Sequence, residues 1–110
     1  MLRTSRQRKV LCRDCPIAQT ANIVGDTVSL LIIRDLLEKA RGFTDLELSL
    51  KGVSSRTICS KLKHLEEAGL VVRVPKPEFY PRVDYHLTKK GRDLRPIVRA
   101  MRAWGRTHLA

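Results

Sequence analysis

The chain has 110 residues, of which 43% are hydrophobic and 30% charged, and this is the size and apolar content of one folded domain. A second full domain and a disordered chain are both excluded. Lysines and arginines number 22 against 11 acids, and the formal net charge of +11 indicates a polyanionic partner, nucleic acid before an acidic membrane.

Membrane insertion and disulfide bonding are not expected. The longest uninterrupted apolar stretch, Leu30 to Ile33, is four residues, whereas a spanning helix needs about 20. The basic N-terminus lacks a secretory apolar segment, so we predict a cytoplasmic protein with no membrane partner. Three cysteines in such a chain are expected to stay reduced. We divide the sequence into a basic N-terminal arm, residues 1–13, and one domain, residues 14–110.

Two apolar helices are predicted at the start of the domain. Cys15 and Pro16 open the first, because the fixed φ of proline suits the first helical position, and Gly25 closes it. Asp26 can cap the second helix, which we expect to continue to a turn around Arg41–Gly42. Its apolar residues repeat at helical spacing: Val28, Leu31, Ile32 and Leu36.

The next segment predicts a short helix. Thr44 and Glu47 have the spacing of a capping box, and Phe43 and Leu48 that of a hydrophobic staple.

A longer helix is predicted over about residues 54–68. Ser54 can cap it, with Val53 and Ile58 as its staple, and Gly69 can supply the left-handed residue that ends it. A short helix, a glycine-containing turn and a longer helix follow one another as in a helix-turn-helix.

A β-hairpin with a stiff loop is predicted next. Leu70 to Val74 is rich in β-branched residues, and polar and apolar residues alternate from Arg82 to Leu87. The loop, about residues 75–82, contains three prolines and is interpreted as a wing. Lys76, Tyr80 and Arg82 could contact phosphates or the minor groove from it. A simple hairpin turn is the alternative.

Thr88 can cap a final helix, which Pro96 is expected to kink. This helix has an apolar stripe, namely Leu94, Ile97, Val98, Met101 and Trp104. Its arginines fall mostly off that stripe: Arg92, Arg95, Arg99, Arg102 and Arg106. Because so short a chain can hardly bury the whole stripe, it suggests a partner helix.

The helix over residues 54–68 carries the clearest functional signal. Ile58, Leu62 and Leu65 make an inner stripe, and no acid occurs between Glu47 and Glu66. Hydroxyls and arginine can hydrogen-bond base edges, while lysine neutralises phosphates. An ordinary solvated helix is the alternative, although it would usually mix both charge signs. The remaining positions carry Ser55, Arg56, Thr57, Ser60, Lys61, Lys63 and His64.

The cysteines leave three interpretations open. A thiol at a helix N-terminus is favoured as thiolate, so Cys15, with Cys12 in a CxxC spacing, is a candidate thiol sensor. A soft-metal pair and a purely structural role are the alternatives, and no metal site is predicted because zinc would need two further ligands. Cys59 is expected in the core, on the inner side of its helix.

Three segments together resemble the HxlR-type winged helix-turn-helix transcription regulators: CPIAQTANIVGDTVSLLIIRDLL, GFTDLELSLKGVSSRTICSKLKHLEEAGLVVR and YPRVDYHLTKKGRDL. The resemblance implies that residues 14–110 form a DNA-binding domain of mainly α structure with a small β-hairpin and additional N- and C-terminal dimerisation helices. It further implies a homodimer on a roughly palindromic operator. The sequence departs from the family where Asp26, Thr27 and Val28 replace a usual Gly-Lys-Trp.

The resemblance also assigns residues. Arg82 is implied as a wing contact, and Cys15 takes the place of a cysteine that senses oxidants in some similar regulators. The dimer interface is expected to include Ile17, Val98, Met101 and Trp104. The implied recognition face is Ser54, Ser55, Arg56, Thr57, Ser60, Lys61 and Lys63.

We therefore predict a homodimeric, sequence-specific regulator of transcription that binds double-stranded DNA. No catalytic residue and no cofactor are predicted, and a small-molecule or oxidant effector is left open. One alternative is a non-specific basic protein that binds RNA or chromatin, although the chain lacks an aromatic sheet platform or a GxxG loop. The other is a small thiol enzyme using Cys12 and Cys15, which lacks the expected βαβ context.

Overall fold

A computed structural model describes residues 15–79 and 82–109, so the basic arm, Cys12 and Tyr80 lie outside the described residues. Three short strands form one antiparallel sheet in the order β1-β3-β2: β1 (Arg41–Gly42), β2 (Val71–Pro75) and β3 (Val83–Leu87). The rest of the described chain is mainly helical, with α1 (Pro16–Val24), α2 (Thr27–Glu38), α3 (Phe43–Ser49), α4 (Ser55–Glu67), α5 (Lys89–Arg92) and α6 (Arg95–His108).

The boundaries of α1 and α2 follow local chemistry. Cys15 is the N-cap of α1, where its Sγ accepts the N–H of Ala18 at 3.5 Å, and Pro16 takes the first turn. Gly25 ends this helix, and Asp26 caps α2 by accepting the N–H of Ser29 at 2.9 Å. These caps satisfy N–H groups that have no partner inside a helix. The predicted starts of both helices are confirmed.

Two features around α3 differ from the predictions. Arg41–Gly42 is not a turn but a strand, which pairs with Tyr85 and Asp84 of β3. The predicted capping box from Thr44 is wrong, because Gly42 is the N-cap and its N–H donates to the Asp45 carboxylate at 3.1 Å. Strand pairing fixes Gly42 in extended conformation, and the helix therefore begins directly after it.

The hydrophobic staple predicted for α3 is also not supported. Leu48, the expected partner of Phe43, is 63% exposed, whereas Phe43 packs against the core.

The predicted ends of α4 are confirmed. Ser54 is its N-cap and accepts the N–H of Thr57 at 3.1 Å. Gly69 has φ +79°, a left-handed conformation that glycine adopts without a steric penalty. That conformation brings the N–H of Leu70 to the carbonyl of Leu65 at 3.0 Å, which closes the helix end.

The β-hairpin has the predicted order. Val71 pairs with Leu87 and Pro75 with Val83, and the N–H of Lys76 donates to the carbonyl of Arg82 at 2.9 Å to close the base of the wing.

The prediction of a single, kinked final helix is wrong: this part of the chain forms two separate helices, α5 and α6. Thr88 caps the four-residue α5, and α6 begins again at Arg95 with Pro96 in its first turn. A proline in a helix interior loses a backbone hydrogen bond, but in a first turn its missing N–H costs nothing. Ending α5 before the proline avoids the interior defect.

Among the described residues, twelve buried hydrophobic side chains form the core: Val24, Ile32, Ile33, Leu36, Leu46, Leu50, Ile58, Leu62, Leu65, Leu70, Val71 and Leu87. Asp35 is also buried, and it accepts from Ser49 Oγ at 2.5 Å and pairs with Arg34 at 2.9 Å. A buried carboxylate needs such partners. No single helix of the described ranges is long and apolar enough to cross a membrane.

Candidate nucleic-acid interface

The inner face of α4 fixes the orientation of its other faces. Ile58, Leu62 and Leu65 are 0%, 2% and 0% exposed, at the spacing of one helical stripe. α4 packs against α2, α3 and β2, so its position in the fold is determined by the core. The stripe predicted from the sequence is confirmed, and the opposite side of the helix is left to solvent.

Three of the predicted contacts share that outer side. Arg56, Ser60 and Lys63 are spaced i, i+4 and i+7, and all are exposed. Within residues 15–79 and 82–109 their side chains have no hydrogen bond or ion pair to the protein. This face therefore presents a guanidinium, a hydroxyl and an ammonium group that are all available to a partner.

The hydroxyl groups at the start of α4 are engaged with the protein itself. Ser54 Oγ donates to Thr57 Oγ1 at 3.0 Å in addition to capping the helix. Ser55 Oγ donates to the Glu47 carboxylate of α3, which ties the two helices together. These serines contribute to helix geometry, whereas Arg56 projects freely beside them.

Lys61 lies on a flank of α4, next to the buried stripe and away from the outer face. Its Nζ is 3.6 Å from the Asp26 carboxylate, and both side chains are half-exposed. Burial of Asp26 opposes ionisation, but hydrogen bonds from Ser29 and the charge of Lys61 outweigh it and lower the pKa of Asp26. Lys61 is thus partly neutralised, unlike Lys63.

Arg82 joins the base of the wing to α3. Its Nε donates to Asp84 Oδ1 at 2.9 Å, and its Nη2 donates to Asp45 Oδ2 at 3.0 Å. The hydrogen bond and the charge of Asp84 raise the pKa of Arg82, and Asp45 adds to this effect. We name this arrangement of Arg82, Asp45 and Asp84 the wing clamp. Lys76 Nζ lies 3.9 Å from Asp84, and Tyr80 lies outside the described residues.

The two cysteines that the structure describes differ in environment. Cys15 is half-buried at the N-terminus of α1, and Cys59 is exposed on α4. The prediction of Cys59 as a core residue is wrong, because one helical step of about 100° turns it away from the buried stripe at Ile58. No cluster of three metal-ligating side chains occurs among residues 15–79 and 82–109.

The predicted dimer residues lie on α1 and α6. Ile17 is 81%, Met101 51% and Trp104 59% exposed, whereas Val98 packs against the core. Ile17 and Met101 line an open groove of about 510 Å³ between these helices, which we call the apolar groove. Its other lining residues are mostly apolar or small: Pro16, Thr20, Ala21, Val24, Gly25, Leu30 and Ile97.

Two acids of α3 matter to this surface and were not predicted. Glu47 holds Ser55, and Asp45 both caps α3 and holds Arg82. A carboxylate three residues after Gly42 was a usable capping signal, because glycine is accepted at the N-cap. The contact with Arg82 had no signal in the sequence, since the two residues are 37 positions apart.

Comparisons with known proteins identify the family of this chain. The profile of the HxlR-like helix-turn-helix family matches residues 23–110. The uncharacterized HTH-type transcriptional regulator sll1512 of Synechocystis sp. is 35% identical over 91 residues, covering 83% of this chain and 67% of that protein.

Solved structures show the same architecture. PA1607, described as a candidate transcription factor, superposes with a TM-score of 0.83 at 35% identity, covering 90% of this chain and 68% of that one. The redox regulator HypR in its reduced form superposes with a TM-score of 0.79 at 27% identity, covering 84% of this chain and 91% of that one. The mainly helical fold with a small winged sheet is confirmed.

Proposed function

The chain belongs to the HxlR-like helix-turn-helix family of transcriptional regulators, and from this premise we propose that it recognises a specific sequence of double-stranded DNA as a homodimer. It is a transcription regulator of the helix-turn-helix type and not an enzyme. The proposal concerns what this regulator contacts, with which residues, and in which assembly. Since such a regulator works on the chromosome, we place it in the cytoplasm.

The outer face of α4, the recognition helix, carries the proposal. Arg56, Ser60 and Lys63 are exposed together on the side opposite the buried stripe. An α-helix fits the DNA major groove, where arginine donates to guanine and serine accepts or donates at several base edges. Lysine supplies sequence-independent attraction to phosphates. The further contacts that we propose on this helix are Ser54, Ser55, Thr57 and Lys61.

The wing supplies the second part of the proposed surface. We propose that Lys76, Tyr80 and Arg82 contact the DNA backbone or the minor groove. Arg82 is 47% exposed while the wing clamp holds it, so its guanidinium can face a phosphate without a new side-chain conformation. Contacts to the DNA backbone fix the register of a protein on the duplex, whereas contacts to base edges, here from the recognition helix, discriminate between sequences.

A second copy of the chain is the proposed occupant of the apolar groove. Ile17, Met101 and Trp104 are large apolar side chains that a monomer leaves in water, and they lie on two adjacent helices. Exposed apolar surface of this kind marks an interface. In a two-fold dimer the same patch meets itself, and two recognition helices can then reach successive major grooves.

We also propose that Cys15 makes DNA binding respond to oxidants, with Cys12 as its nearest thiol along the sequence. The Cys15 sulfur caps the N-terminus of α1, where it accepts the N–H of Ala18 at 3.5 Å, and its side chain is half-buried. Its helix lines the apolar groove, so a modification there would act on the dimer. The structural similarity to the redox regulator HypR supports this proposal.

Selection of bound fragments from random duplex DNA tests the proposal. We expect an enriched, nearly palindromic sequence whose footprint has two half-sites about one helical turn apart, with affinity falling steeply as salt rises. Repeating the selection with an added oxidant, on the wild type and on Cys15→Ser, tests the thiol response. Equal affinity for random DNA and RNA would contradict specific recognition and favour a general nucleic-acid-binding protein.

A further inference from the structure

A cavity of about 270 Å³ lies between α2 and α6, apart from the proposed DNA contacts. None of the described residues of α4 or of the β2–β3 hairpin lines it. Its apolar lining consists of Leu37 from α2 and Val98 from α6, both half-buried. Four arginines surround that apolar part: Arg34, Arg95, Arg99 and Arg102. We call this site the arginine cavity.

The helical period brings the arginines of α6 together. Arg95, Arg99 and Arg102 are spaced i, i+4 and i+7, so they share one side of the helix. Arg34 reaches the same cavity from α2. The sequence between Leu94 and Ala110 contains no acid, so α6 provides no carboxylate to offset these charges.

Charge compensation at the arginine cavity is incomplete. Arg34 pairs with Asp35 at 2.9 Å, and Arg95 donates to the carbonyl of Leu37 at 3.2 Å. Glu38, the one acid among the described lining residues, pairs with Arg41 at 3.1 Å. Among the residues that the structure describes, Arg99 and Arg102 have no carboxylate within ion-pair distance.

We propose that the arginine cavity binds a small organic anion with two carboxylate groups on an apolar body. A guanidinium group pairs with a carboxylate through two parallel hydrogen bonds, and Arg99 and Arg102 are both available for such pairing. Leu37 and Val98 provide the apolar contact that simple inorganic anions cannot use. The volume equals that of about nine liquid water molecules, enough for one ring with two carboxylates.

A bound dicarboxylate would act on the regulator through the two helices that it joins. α2 packs against the recognition helix, and α6 carries Met101 and Trp104 of the proposed dimer surface. The ligand would therefore link the position of α6 to that of α4. This regulatory consequence rests on the proposed function, but binding of the anion does not and can be measured without DNA.

Calorimetric titration of the full chain with phthalate tests the proposal at about 0.15 M salt, where general charge attraction is screened. We expect one phthalate per subunit and no binding of the neutral phthalamide. Loss of a charge-assisted hydrogen bond weakens binding by about tenfold or more, which is the result expected for Arg99→Gln and for Arg102→Gln.

Arg106→Gln is the matched control, because it removes the same charge from the same helix but lies outside the cavity lining. Glutamine is a good helix former, and a thermal unfolding curve checks that each variant remains folded. If the wild type does not bind phthalate, or if Arg106→Gln weakens binding as much as Arg99→Gln, the proposal is overturned. Normal DNA binding beside absent phthalate binding would refute this site alone.

Discussion

Arg56 and Lys76 carry the same charge but occupy different parts of the proposed DNA interface. Arg56 is exposed on the outer face of the recognition helix, from which a guanidinium can form two hydrogen bonds to one guanine. Lys76 lies at the wing, 3.9 Å from Asp84, where an ammonium group acts as a point charge. The two side chains are therefore expected to contribute differently to specificity.

Arg56→Ala should relax base preference at one position in each half-site and cost about 1 to 3 kcal/mol on the preferred sequence. Lys76→Ala should weaken binding to all sequences alike and reduce the slope of affinity against salt by about one. Binding to the selected duplex and to single-base variants, at several salt concentrations, distinguishes these results. Uniform loss in both variants would mean that α4 is not the base-contacting element.

Asp26 should make stability depend on pH. Its pKa is lowered in the folded chain, so its stabilising effect is complete at neutral pH and is lost as pH falls through the folded pKa. Asp26→Asn keeps a capping oxygen but removes the charge near Lys61. Urea unfolding should be measured for the wild type and Asp26→Asn from about pH 7 to about pH 2. At neutral pH the wild type should be more stable than Asp26→Asn by less than about 1 kcal/mol, the size expected for an exposed ion pair.

The difference in free energy of unfolding between the wild type and Asp26→Asn should become smaller toward about pH 2, because Asp26 is protonated there. A gap between wild type and Asp26→Asn that stays constant with pH would show that the charge of Asp26 is not involved. Thr27→Ser, a change in the adjacent exposed residue that adds no charge, serves as the control.

At the scale of elements, α3 is linked to the sheet through one carboxylate. Asp45 accepts from the N–H of Gly42 at 3.1 Å and from Arg82 at 3.0 Å, so it caps its own helix and holds the base of the wing. Asp84 holds the other side of Arg82. The wing is thus connected to the first helix of the helix-turn-helix and not only to its own hairpin.

Asp45→Ala should destabilise the chain by about 0.5 to 2 kcal/mol, because it removes a helix cap together with one exposed ion pair. Asp45→Asn should destabilise it less, since the amide oxygen can still accept from Gly42. Urea unfolding gives the stabilities, and amide exchange at Val83 to Tyr85 should accelerate in Asp45→Ala. Equal stability of all three proteins would show that the wing clamp contributes nothing to the fold.

At the scale of the whole molecule, the polar and cationic surface and the exposed apolar surface lie on different elements of the described chain. The recognition helix and wing present polar and cationic groups, whereas α1 and α6 present Ile17, Met101 and Trp104 to solvent. In the proposed assembly, the chain binds DNA with one of these surfaces and a second copy of itself with the other. Affinity for DNA and dimer stability are then coupled, because only the dimer places two recognition helices on one duplex.

Trp104→Glu should convert the proposed dimer to a monomer, because it places a charge in the proposed apolar interface. Light scattering after gel filtration measures the mass, and binding to the selected duplex should weaken at least tenfold as the second half-site is lost. Leu48→Glu is the control for mass, since Leu48 is a similarly exposed apolar residue on α3. A wild type that is monomeric at micromolar concentration would contradict the proposed assembly.

Much of this fold was determined by interactions within a few residues. Ser54 marks the start of the recognition helix and Gly69 its end. Both act on neighbouring backbone groups, so both ends of the helix can be predicted from the sequence. The apolar spacing of Ile58, Leu62 and Leu65 likewise gave the inner face of that helix, and with it the outer face of the candidate site.

Contacts between distant segments decided the rest. Pairing of Arg41–Gly42 with β3 determines where α3 begins. Arg82 donates a hydrogen bond to Asp45, which is 37 positions away in the sequence. The arginine cavity likewise needs Arg34 of α2 beside Arg99 of α6. By itself the sequence determined the helices, the hairpin and the charge of the candidate interface, because caps, turns and periodicity act locally. Only the tertiary structure decided which charges are held by acids and which remain free, because that depends on segments that folding brings together.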